Sequence, residues 1–176
     1  MNAAPATALA GRRRPLWLVA TLSLLTLGLY VPIWFGLTWS EMRKERGDDQ
    51  MFPLGHALSI LVPGWNAWQT WRHFTVIDGL GSSVTRARVD AMSGTIGLVI
   101  WWLTFTHYST EPLFVALDAI ELFAGTAVVV YGQRALNGYW ASKGGEERLL
   151  ETDIFALAAA MTYAIFTVIG MLTASS

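Results

Sequence analysis

Apolar runs about as long as a bilayer is thick recur along this chain, and the short polar segments between them hold nearly all of its charge. The runs are about Pro15–Trp39, Pro53–Arg72, Ala91–Tyr108, Leu113–Arg134 and Ile154–Leu172. With 53% hydrophobic and only 14% charged residues, the chain lies well outside soluble averages. The pattern is that of an all-α integral membrane protein, a bundle of four to five hydrophobic helical segments whose first two are kinked, re-entrant or interfacial. A transmembrane β-barrel would instead show alternating segments of roughly ten residues. Residues 1–14 are expected to be a flexible tail, and 15–175 one transmembrane helical domain.

The same composition narrows function. A net charge of −1, with arginines at segment ends rather than in an aromatic-interleaved patch, argues against a nucleic-acid partner. The absence of cysteine removes disulfides, thiolate metal sites and catalytic thiols together. His56, His73 and His107 have no metal-ligand spacing and are expected to be interfacial residues. Nucleophile-elbow, Walker A and dinucleotide-binding motifs are all missing, and "GLGSS" at Gly79–Ser83 lacks their spacing. The sequence therefore predicts no enzyme, no cofactor and no metal.

Arg12, Arg13 and Arg14 precede an apolar run far longer than a cleavable signal core, so the run is expected to be a retained anchor. Lys and Arg are missing from the turn between the third and fourth runs and from the C-terminus. By the positive-inside rule the third run leaves the cytoplasm, the fourth returns and the fifth leaves again. Upstream the rule conflicts with itself: Arg12–Arg14, then Arg43, Lys44 and Arg46, then Arg72 are all basic. Two clean spans would strand one cluster outside. A weak repeat sharpens the conflict, since Leu18, Leu22, Ser23, Leu25 and Gly28 match Leu54, Leu58, Ser59, Leu61 and Gly64. Parallel copies would each enter and return, bending near Gly28–Pro32 and Pro63–Gly64. On length alone the first run is read as a span, with the hairpin as its alternative. In the second run Trp65, Trp68 and Trp71 recur beside Asn66, Gln69, Thr70 and His73, as in a helix at headgroup level, and Asp78–Ser83 follows as a flexible break.

"LSLLTLGLYVPIWF", Leu22–Phe35, resembles the repeated signature of a bacterial membrane family catalogued as domain of unknown function 4234, at Ser23, Thr26, Gly28, Tyr30 and Trp34. "QRALNGYW", Gln133–Trp140, is similar to a Q-x-x-x-N closing motif of such membrane proteins. In the second copy Pro63 and Asn66 depart from the signature. The resemblance implies membrane class and no catalytic residues.

Asp118 and Glu121 are the most informative polar residues, one turn apart on the fourth run and on one face with Gly125. Glu121 falls about 9 Å from the centre of the apolar stretch, inside a hydrocarbon half-thickness of about 15 Å. A lone acid there costs on the order of 2 to 3 kcal/mol, so such residues face a bundle interior or a polar pathway. His107 and Tyr163 are the expected partners of this intramembrane polar site. Alternatively the helix sits lower and the acids are interfacial. Trp101 and Trp102 are expected to pack. Gly94, Gly97, Gly125 and Gly132 supply small faces for helix packing, for self-association or for docking on a larger complex.

The expected function is that of a small polytopic protein of the bacterial inner membrane, a structural or regulatory partner of other membrane proteins or a homo-oligomer, held in the lipid bilayer. The alternative is a small transporter or channel subunit handling protons or cations through Asp118 and Glu121.

Overall fold

The first apolar run does not form one helix. The computed structural model describes residues 12–82, 89–103 and 111–174. In it, α1 (Leu16–Leu25) ends at Thr26 and α2 (Tyr30–Arg46) begins four residues later. Between them Leu27 and Gly28 have φ of 49° and 87°. Glycine holds such backbone without strain, and a Cβ at Gly28 would lie 2.5 Å from Trp101 Nε1. The chain reverses here, since Arg14, just before α1, pairs with Glu41 near the end of α2. The single span expected over Pro15–Trp39 is thus corrected to an antiparallel helical hairpin. The turn satisfies its own backbone, as a turn in apolar surroundings must. Thr26 Oγ1 donates to the Leu22 carbonyl and accepts from Tyr30 N–H, and Gly28 N–H donates to the Ser23 carbonyl at 2.8 Å.

The second run repeats the first. α3 (Pro53–Ser59) and α4 (Trp65–Ser82) flank a turn whose Gly64 has φ of 74°, and His56 meets Gln69 and His73 across the hairpin. The break expected at Asp78–Ser83 is corrected as well: α4 stays helical through Ser82, with Ser83 outside the described residues. The third run holds α5 (Ala91–Trp102), capped by the Asp90 side chain on the Met92 and Ser93 amides. Hydrogen bonds from the Ser93 hydroxyl and amide hold the Asp90 carboxyl below the usual carboxylate range. Residues 104–110, with the first half of the expected Ser109–Pro112 turn, lie outside the described residues. Pro112 then opens α6 (Pro112–Ser142), and α7 (Glu151–Ala174) closes the order. Among the described residues all secondary structure is helical apart from one isolated bridge, Arg13 to Glu147. Both α6 and α7 are long and apolar enough to cross a membrane.

α5 lies between α4 and α6, antiparallel to α6, with Gly94 against Phe74 and Gly97 against Val128. α1 packs antiparallel on α6, so that Arg14 meets Asn137 while Gly28 lies near Leu122. The hairpin turn therefore stops at Leu122, leaving the first ten residues of α6 beyond it. Among the helices, α7 touches α1 alone. Past that level the first turns of α6 and the second half of α7 project beyond both hairpins, with Leu113, Val115 and Phe166 largely exposed.

Candidate functional site

The half of the molecule that holds the hairpins also holds a buried polar seam. Its first part joins the two short motifs. Trp34 Nε1 donates to Gln133 Oε1 at 2.8 Å, Gln133 Nε2 donates to Asn137 Oδ1, and Asn137 is clamped to the Arg14 backbone through both its amide and its oxygen. Ser23, Thr26, Gly28 and Tyr30 build the turn, and Trp34 anchors it to α6.

The three arginines, expected as the end of a flexible tail, are held by ion pairs, while residues 1–11 lie outside the described residues. Each pairs with a different element: Arg12 with Asp153 of α7, Arg13 with Glu147 before it, and Arg14 with Glu41 of α2. Burial opposes the Arg14 charge, but the Glu41 carboxylate outweighs it by attraction and hydrogen bonding, and the guanidinium is held above its ordinary value. All ten described Lys and Arg residues fall in this half, from the Arg12–Arg14 clasp and the end of α2 to Lys143 beside Glu45. Arg86 and Arg88 lie outside the described residues.

The second part of the seam lies between the hairpins. His56 Nδ1 meets Gln69 Oε1 at 3.2 Å, His56 Nε2 meets His73 Nδ1 at 2.9 Å, and His73 Nε2 meets Thr38 Oγ1 at 3.2 Å. Trp39 stacks on His56 with ring centroids 3.9 Å apart, and the Arg72 guanidinium sits 5.2 Å from the Trp39 ring. On α4 the usual sidedness is inverted. Trp65, Trp68 and Trp71 are half exposed, whereas Asn66, Gln69, Thr70 and His73 are buried.

Other expected residues fare differently. Glu121 is buried and Asp118 half-buried on α6, near the level of the first hairpin turn. His107 lies outside the described residues. Tyr163 is exposed on α7, which does not touch α6, so it is not brought to the acidic pair. The four glycines are used within the chain: Gly94 faces Phe74, Gly97 Val128, Gly125 Trp101, and Gly132 both Trp34 and Phe74. They are therefore corrected from faces open to a partner to contacts inside the bundle. Trp101 is fully buried beneath Gly28 and Gly125, as a packing residue.

Reading the histidines as separate interfacial residues missed the His56–His73 pair, because the two are brought together only by the second hairpin. A signal was present: four polar residues share the face of α4 opposite three tryptophans, and polar groups that are buried must find partners inside. Comparison of the chain with family models, curated proteins and solved structures finds no match in any of the three.

Proposed function

We propose that this chain is a multi-pass protein of a bacterial inner membrane that serves as a structural or regulatory partner of other membrane proteins. The observation that carries the reading is the inversion on α4, polar side chains inside and three tryptophans outside, continued by the exposed apolar surfaces of α6 and α7. In water such a surface would be costly; in lipid it is the natural one. The gathering of the described basic residues in one half supports insertion with that half in the cytoplasm. In this reading both hairpins enter from the cytoplasmic side and return, while α5, α6 and α7 cross. The likeness of Leu22–Phe35 to a bacterial membrane family agrees with it.

Because the small-residue faces are filled within the chain, the partner surface is α7 together with the projecting first turns of α6. The chain has no cysteine, so single cysteines test both parts of the proposal in intact cells. A membrane-impermeant maleimide should label Glu111→Cys directly and Asp49→Cys only after lysis. A bifunctional crosslinker at Phe166→Cys should yield an adduct with another protein or a second copy. External labelling of Asp49→Cys would overturn the topology, and adducts with lipid alone would overturn the partner role.

A further inference from the structure

We infer that His56 and His73 form a proton-binding site: one hydrogen lies between His56 Nε2 and His73 Nδ1 in either state, and the proton taken up is held on His56 Nδ1 by a half-turn of the Gln69 amide, its charge shared by the two rings. The hydrogens can be counted. The Thr38 hydroxyl has one hydrogen and lies 2.7 Å from the Trp34 carbonyl, which can only accept. Thr38 Oγ1 therefore accepts from His73 Nε2, which must carry a hydrogen. In a neutral pair His73 Nδ1 is then bare and accepts from His56 Nε2–H, leaving His56 Nδ1 bare toward Gln69. That state needs Gln69 to present its NH2 group.

The group facing His56 Nδ1 at 3.2 Å is instead Gln69 Oε1, an acceptor that calls for hydrogen on Nδ1. Both outer ring nitrogens then carry hydrogen. The two inner nitrogens, 2.9 Å apart, are both satisfied only when a hydrogen still lies between them, so the pair has taken up one proton from solvent. One heavy-atom frame thus serves two protonation states, and the Gln69 amide selects between them.

The surroundings fit a single shared charge. From α2 the pair meets Thr38 and the neutral rings of Trp34, Phe35 and Trp39. Gln133 of α6 reaches it only through Trp34. The charge facing it is Arg72 of α4, behind the Trp39 ring, which opposes a second proton. Since Thr38 belongs to the first hairpin and His56, Gln69 and His73 to the second, the shared charge sits on the contact between them.

Imidazole nitrogen NMR on the full chain in detergent micelles tests this. At high pH both rings should be Nε2–H tautomers, and on acidification both should change in one transition that takes up one proton. The ionised side chain of Gln69→Glu presents only acceptors and a negative charge, so it should raise the midpoint by at least about one pH unit, roughly tenfold in proton affinity. Separate transitions for the two rings, an Nδ1–H tautomer of His73 at high pH, or no transition before unfolding would overturn the site. So would a Gln69→Glu midpoint at or below that of the natural chain. Should Gln69→Glu fail to fold, the His73 tautomer and the single transition decide.

Discussion

The two halves of this molecule use similar side chains in opposite ways. In the half with the hairpins, glycines receive aromatic rings, amides and imidazoles bond to one another, and arginines meet carboxylates. In the other half, α6 and α7 present Leu113, Val115 and Phe166 outward and have few neighbours. The first half specifies its own structure, and the second leaves surface for something else to cover. Glycine substitutions should expose the difference most strongly. A leucine at Gly125 would have to displace the buried Trp101, and overpacking of this kind costs about 3 kcal/mol or more. Gly125→Leu is expected to abolish monodisperse protein in detergent. Gly170 has open space around it, so Gly170→Leu should elute as the natural chain does. Equal effects at the two sites would erase the contrast.

How much of this was legible in the sequence also divides between the halves. The long apolar runs behind α6 and α7 could be read directly, because length and hydropathy are all that make a helix able to cross a membrane. The hairpins were legible only in part. The repeat that pairs Gly28 with Gly64 and the clash of basic clusters both pointed to a return, yet run length favoured a span. Thr26 decides the matter locally, since its hydroxyl bonds on both sides of the turn and lets the chain reverse among apolar neighbours. The role of Arg12–Arg14 was hidden for another reason. Their carboxylate partners are Glu41, Glu147 and Asp153, and sequence distance says nothing about such pairs.

Ion pairs give the next test of the contrast. Arg14 and Glu41 form a two-pronged pair in which the arginine is almost wholly enclosed, with hydrogen bonds of 2.9 and 2.7 Å. Glu41→Ala would leave that guanidinium buried without its counterion, at a cost of about 3 kcal/mol. Arg43 and Asp49 also form a pair, but in the open, where such pairs contribute less than about 1 kcal/mol. Melting of the two variants in the same detergent should show a large drop for Glu41→Ala and almost none for Arg43→Ala. A reversed order would mean that the first three arginines serve insertion alone and not the fold.

The smallest expected effect is at the turn, and it separates backbone from side chain. Leu27 has φ of 49°, a conformation that costs a residue with a Cβ about 1 to 2 kcal/mol, and its side chain is 44% exposed. Leu27→Gly relieves that strain but gives the unfolded chain more freedom to lose, at about 0.5 to 1 kcal/mol. The two terms leave a gain of at most about 1.5 kcal/mol, visible as a slightly raised melting temperature. A clear loss would show that the Leu27 side chain is itself held, and the projecting half of the molecule would then begin at this turn rather than beyond it.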